Sequence, residues 1–325
     1  MRSPVLFLVF NRPDTTRQVF EAIRAAKPPR LYVAADGPRI HRQGESERCE
    51  EVRRIATAVD WACELKTLFR DQNLGCKMGV SGGINWFFEN EEEGIILEDD
   101  VLPIRSFFPY CDELLERYRH DERVGVISGC NLISRRFTTK ESYFFSRYNH
   151  VWGWASWRKV WKHYDVSMKA WPEWRDNGGL TSISDGNKLF QSYWRSIFDN
   201  TFQGGLDTWD YQWMFCCWKQ GMITALPSHN QTHNLGFAHP DAVHTTNVAP
   251  DYIKESLPKP LTVPLRHPDN VERSFEADAM IDKRVLSLSL LFSIKLLIRR
   301  IPTLNYLIYT CGKKWYQLKS FVFYK

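Results

Sequence analysis

Along the first 130 residues, short apolar runs alternate with amphipathic stretches, the pattern expected of strands and helices taking turns around a parallel sheet. Residues 4–10 (PVLFLVF) predict a first strand, and Pro13-Asp14 opens a helix that runs to about residue 26. Residues 31–35 predict a second strand, closed by the turn Asp36-Gly37-Pro38. A charged periodic stretch over 45–59 predicts the next helix, 64–69 a third strand, 70–75 (RDQNLG) a loop and 77–90 another helix. Residues 94–101 (GIILEDDV) form an apolar run that ends in three consecutive acids, Glu98, Asp99 and Asp100. Such a run suits a buried parallel strand, with the acids at its carboxyl end, where open α/β sheets place ligands. A helix over 106–119 and a strand over 124–128 complete the series.

Beyond residue 130 the chain becomes rich in aromatics, Gly and His. Helices are predicted near 154–164, 187–198 and 209–219, followed by a strand at 222–226 and a polar loop over 228–247. Pro258, Pro260, Pro264 and Pro268 mark a linker. The expected organisation is therefore α/β, a mostly parallel Rossmann-like sheet flanked by helices. Residues 1–130 would form a nucleotide-sugar-binding half ending in the acidic motif, 131–265 an aromatic-rich acceptor half, and 266–325 a basic, apolar C-terminal tail.

Composition refines this picture at three points. Seven of the 13 Trp lie between Trp152 and Trp194, large flat rings suited to a core or to stacking on sugars. The eight Cys are scattered without a CxxC pair, which favours reduced residues and a cytoplasmic setting. Residues 283–325 hold nine basic side chains and no acid, leaving 34 basic and 38 acidic side chains in the preceding 282 residues. That tail also contains the apolar stretch 285–298, shorter than the roughly 20 residues of a membrane-spanning helix. It fits either an interfacial helix on the inner face of a plasma membrane or a helix docked on the body. The basic residues are interleaved with apolar ones, which argues against nucleic acid as a partner.

Neither GxGxxG nor GxxxxGK[ST] occurs; the first strand is followed by NRPD. A nucleotide bound to such a sheet must have its phosphates held by a metal. Three adjacent carboxylates also repel one another unless a cation sits among them, and hard oxygen ligands suit Mg²⁺ or Mn²⁺.

Taken in order, NRPD, ADGP at 35–38, RDQNLG, ILEDDV, SRYNHVWGWASWR at 146–158, DTWDYQW at 207–213 and HNLGFAHPDAVHT at 233–245 resemble bacterial GT-A glycosyltransferases. These are nucleotide-sugar-dependent enzymes of surface-polysaccharide synthesis, distantly similar to the N-acetylglucosaminyltransferase I type. The resemblance covers residues 4 to 247 and leaves the tail outside. It implies that Asp100 ligates a divalent metal, with Glu98 and His244 as further candidates, and that Asp99 faces the ribose or donor sugar. It places Asp36 at the base and Asn11, Arg12, Arg70 and Lys77 near the nucleotide; Asp36 before Gly37 is equally a turn former. Asp210 is the expected general base toward the acceptor hydroxyl, with Asp207 in reserve or serving as a helix cap. Trp154 and Trp209 are candidate acceptor platforms. The implied partners are a nucleotide-sugar donor, most simply UDP-linked, and a glycan or lipid-linked glycan acceptor. A sugar nucleotidyltransferase would open with a Gly-rich basic loop, which NRPD is not; a non-catalytic carbohydrate-binding protein on the same fold is the other reading.

Overall fold

The computed structural model describes residues 1–237 and 248–288. Its strands are β1 Val5–Val9, β2 Arg30–Ala35, β3 Glu64–Phe69, β4 Glu93–Glu98, β5 Val101–Pro103, β6 Val124–Ser128, β7 Tyr143–Ser146, β8 Trp154–Trp157, β9 Ile223–Pro227 and β10 Thr232–Asn234. Its helices are α1 Pro13–Ala26, α2 Glu45–Ala56, α3 Gly75–Asn90, α4 Phe107–Tyr118, α5 Arg158–Trp161, α6 Trp171–Asp176, α7 Gly179–Ile183, α8 Lys188–Phe202, α9 Asp210–Lys219, α10 Asp251–Glu255 and α11 Phe275–Arg284.

Eight strands form one sheet in the order β3-β2-β1-β4-β8-β6-β9-β7, and β10 pairs with β5 in a separate ribbon. β1 pairs in parallel with β2 and β4, and β2 with β3. β8 runs against both β4 and β6, and β7 runs against β9. The fold is therefore the expected mostly parallel, Rossmann-like α/β sheet flanked by helices. All five residues of β1 are buried, because helices cover both faces of a central parallel strand. Gly83 lets α3 lie close on that sheet: a Cβ there would stand 2.8 Å from the Leu8 side chain and 3.1 Å from Ala34.

Three expectations from the sequence are corrected here. Trp154–Trp157 is a strand, not the start of a helix over 154–164; only Arg158–Trp161 is helical. Trp152, Trp154, Trp157 and Trp161 fit a helical period, but WASW is buried throughout and gains ladder partners on both sides. Large aromatic side chains suit such a pleated surface. β7, β5 and β10 are additional strands, each too short to show a period. The proline-rich segment is strapped to the body instead of hanging free: the Lys259 N–H donates to the Asn230 carbonyl at 3.0 Å, and the Ser142 N–H to the Arg266 carbonyl at 2.8 Å.

The core has two parts. One sandwiches the sheet from Val5 to Ala225, and the other is an aromatic cluster in which Trp171, Phe190, Trp194, Phe198, Phe215 and Trp218 join α6, α8 and α9. Cys49, Cys111, Cys130, Cys216 and Cys217 are buried as free thiols. Among the described residues, no helix is long and apolar enough to cross a membrane. Residues 289–325, and with them most of the basic tail, lie outside the described residues, as do His239 and His244.

Candidate active site

The order β3-β2-β1-β4 puts the switch point of the sheet between β1 and β4, and open α/β sheets place ligands at the carboxyl ends of the strands there. β1 leads into Phe10-Asn11-Arg12, and β4 ends at Glu98 and turns through Asp99 and Asp100. The two segments are bonded to each other. The Phe10 N–H donates to Asp99 Oδ2 at 3.0 Å, while Arg12 Nη1 donates to Asp100 Oδ2 at 2.8 Å and its Nη2 lies 3.3 Å from Asp99 Oδ1. The cation among the acids is thus the Arg12 guanidinium. It is held firmly in its charged form by Asp99 above all, against the cost of burial, and further by Asp100 and Glu98.

Three carboxylates against one guanidinium leave the cluster net negative. Glu98 shows the consequence: burial first, then the charges of Asp100 and Asp99, push its carboxyl up to about 8, with Arg12 opposing. Asp210 at the N-terminus of α9 adds to this rise. Cys76, in the first turn of α3, stands among these groups. Burial raises its thiol, and Glu98, Asp210, Asp207 and Asp100 raise it further. Residues far apart in sequence therefore converge on the start of α3.

Asp207 and Asp210 divide their work. Asp207 accepts the backbone N–H groups of Cys76 at 3.2 Å and Lys77 at 3.1 Å, capping α3 from 130 residues away. The sequence offered Asp207 as a reserve base or a cap of its own helix; both its oxygens are committed to α3. Asp210 accepts the Thr208 hydroxyl and the Tyr211 N–H at 3.0 Å through one oxygen, Oδ1. The Tyr164 hydroxyl, which the sequence did not single out, donates to the Trp209 carbonyl at 3.3 Å and lies close enough to Asp210 to feel its charge.

The remaining candidates line the neighbouring loops. Asp36 accepts from the Gly37 N–H at 3.0 Å, Asn73 Nδ2 at 3.1 Å and the Leu74 N–H at 3.0 Å, tying the loop after β2 to the loop after β3. Burial raises its carboxyl, and those backbone donors hold the rise down. Arg70 Nη1 donates to the Gly79 carbonyl at 3.1 Å, lying along α3. Asn11 Nδ2 donates to the buried Glu45 at 2.8 Å, tying the loop after β1 to the start of α2. Lys77 is half-buried in the first turn of α3. Gly236, missed within the supposed polar loop, presses on the acids; a Cβ there would stand 2.4 Å from Asp100 Oδ2. The Leu235 N–H donates to the Asp100 carbonyl at 2.7 Å, extending the β5–β10 ribbon over the site.

The two tryptophan assignments are also corrected. Trp154 is 0% exposed and Trp209 3%. Their rings stack on each other at 5.8 Å, and Trp154 also meets Trp213 at 5.6 Å. Rings enclosed on both faces pack the core and leave no surface for a sugar. Among the described residues, no three His, Cys, Asp or Glu side chains converge as a metal cage.

No protein-family model matches the chain, and no curated protein matches its sequence. Several solved structures align with half of it. HddC from Yersinia pseudotuberculosis aligns at 8% identity with a TM-score of 0.30, covering 50% of this chain and 80% of that one. The 4-diphosphocytidyl-2C-methyl-D-erythritol synthase of Anaerococcus prevotii aligns at 7% identity and a TM-score of 0.32, covering 50% and 75%. A UDP-glucose pyrophosphorylase complexed with UDP-glucose aligns at 9% identity and a TM-score of 0.30, covering 50% and 79%.

Proposed function

We propose that the chain is an inverting, metal-dependent glycosyltransferase of the GT-A type. It moves a sugar from a nucleotide donor, UDP-linked, to a hydroxyl of a bacterial surface-glycan acceptor at the cytoplasmic face of the membrane. The observation that carries this reading is the placement of the β4 acids at the carboxyl end of a strand beside the switch point, where Phe10 and Arg12 of the loop after β1 bond Asp99 and Asp100. Donor and acceptor chemistry need two services there, charge stabilisation of a departing diphosphate and removal of a proton from the incoming hydroxyl.

The donor set fits a divalent cation. Asp100 and Glu98 supply hard oxygens, the cluster carries surplus negative charge, and among the described residues no hydrogen-bond donor reaches the Glu98 carboxyl. Mg²⁺ and Mn²⁺ take only one or two carboxylates and fill their other positions with phosphate and water, so a protein cage of three ligands is not required. Bound there, Mn²⁺ or Mg²⁺ would supply Lewis-acid stabilisation of the leaving diphosphate. Asp210 takes the acceptor hydroxyl proton as that oxygen bonds to the anomeric carbon and the bond to the diphosphate oxygen breaks; direct displacement inverts the configuration. Asp99 is fixed to β1 and faces the donor, and Asp36 and Arg70 line the nucleotide side. Only three residues separate β1 from α1, which supports this reading over a nucleotidyltransferase with a long Gly-rich loop at that point.

A panel of nucleotide sugars assayed for hydrolysis and transfer, with and without EDTA, tests the proposal. One donor should turn over with the divalent metal, and both EDTA and Asp100→Ala should abolish that turnover. Turnover indifferent to both treatments would remove the metal from the reading.

A further inference from the structure

The acid cluster already has a counter-ion, and its geometry is that of one that can leave. The Arg12 backbone is anchored: its carbonyl accepts the Thr16 N–H at 3.0 Å and the Thr16 hydroxyl at 2.6 Å at the start of α1. The side chain is 19% exposed, against 5% for Asp99 and 14% for Asp100. Its closest bond is to Asp100, at 2.8 Å, and its looser one, at 3.3 Å, is to Asp99, itself fixed by the Phe10 N–H. Asp100 Oδ2 thus accepts from a guanidinium, and a divalent cation arriving at that carboxylate would be repelled by the positive charge already beside it.

We infer that Arg12 is an exchangeable counter-ion: it neutralises Asp99 and Asp100 in this arrangement, and on donor binding it pivots on Asp99, releases Asp100 and pairs with the diphosphate. This rests on the donor-site reading above and adds how the site is regulated. The guanidinium fork matches phosphate oxygens in two parallel bonds, so the diphosphate repays what Arg12 loses at Asp100. Asp100 then becomes available to the cation that arrives with the donor. Metal and nucleotide therefore bind cooperatively, each tightening the other by the same factor. Mn²⁺ alone binds weakly because it must displace a side-chain cation without compensation.

Calorimetry on the full chain separates the outcomes. Mn²⁺ alone is titrated into wild type, Arg12→Gln, Arg12→Lys and Asp100→Asn, and UDP is titrated with and without saturating Mn²⁺. Arg12→Gln should bind Mn²⁺ alone about tenfold more tightly than wild type, the ~1.4 kcal/mol scale of one charge-assisted bond. The same variant should bind UDP with Mn²⁺ about tenfold more weakly, and the mutual tightening should largely vanish. Arg12→Lys, which keeps the charge without the fork, should fall between. In thermal unfolding, Mn²⁺ should raise the midpoint of Arg12→Gln more than that of wild type, because it replaces the missing counter-ion. If Arg12→Gln binds Mn²⁺ no better than wild type while Asp100→Asn abolishes binding, Arg12 is a fixed counter-ion; the exchange is overturned and the metal reading stands. If wild type binds UDP equally with and without Mn²⁺ and never binds Mn²⁺, both fall together.

Discussion

Two aspartates three residues apart, Asp207 and Asp210, carry different burdens. Asp207 satisfies two backbone N–H groups at the start of α3. Asp207→Asn keeps one of the two acceptors and should cost less than Asp207→Ala, which should lower stability by roughly 1–2 kcal/mol, the scale of a lost helix cap, as read from urea denaturation. Asp210 is the proposed base, so Asp210→Asn should fold normally and bind UDP while losing on the order of 10²–10⁴ in kcat. Comparable kcat in the two Asn variants would return the base role to Asp207 or move it elsewhere. Arg12 belongs to the same scale. A single side chain answers the repulsion among three acids, a task the sequence left to a metal.

At the scale of elements, β8 joins the two halves of the sheet. It lies between β4 and β6, antiparallel to both, and its Trp154 is enclosed by Trp161, Trp209 and Trp213. The aromatic run that resembles an acceptor platform is thus a structural wedge. Removing the ring leaves a large cavity in a strand with no freedom to collapse, so Trp154→Ala should cost about 3–5 kcal/mol in urea denaturation. A variant with near wild-type stability would mean that the ring is not the enclosed wedge described. α3 is the other pivotal element. Its small residues bring it onto the sheet, and its first turn collects Asp207, Cys76 and the acid cluster in one place.

Across the whole molecule, a buried ionic network fixes the C-terminal helix. Arg147 Nη2 bonds Asp282 at 2.8 Å, the Ser146 hydroxyl bonds Asp278 at 2.6 Å, and Arg273 Nη1 reaches Asp278 at 3.3 Å, so α11 is clamped to the end of β7. The clamp sets where the chain leaves toward its basic tail. Burial raises Asp278 to about 6, partly offset by Ser146, Arg147 and Arg273. The native state therefore holds this proton more tightly than the unfolded chain does. The stabilisation is complete below the unfolded value of 3.8 and is lost as the pH climbs through about 6. Asp278→Asn lacks this titration. Its stability relative to wild type should rise by on the order of 3 kcal/mol between about pH 4 and pH 6 and stay level above. A pH-independent difference in denaturation midpoints would show that Asp278 is not perturbed.

Much of this was legible in local pattern. The order of β1 to β4 with their helices follows from apolar runs and their punctuation, and the acids fall at a strand end because GIIL packs into the core while EDD needs partners for its charge. Those are properties of neighbouring residues, which periodicity and polarity report directly. What the pattern could not reach depends on partners distant in the chain. WASW became a strand because two strands from elsewhere offered it a ladder, Asp207 became a cap because α3 came to meet it, and Asn11 turned to Glu45. Arg12 found the acids because β1 and β4 are neighbours in the sheet while 88 residues apart in sequence. Side-chain chemistry is written locally, but the partner that uses each charge or hydrogen bond is chosen by the packing of elements. That choice minimises buried, unpaired polarity over the whole chain at once.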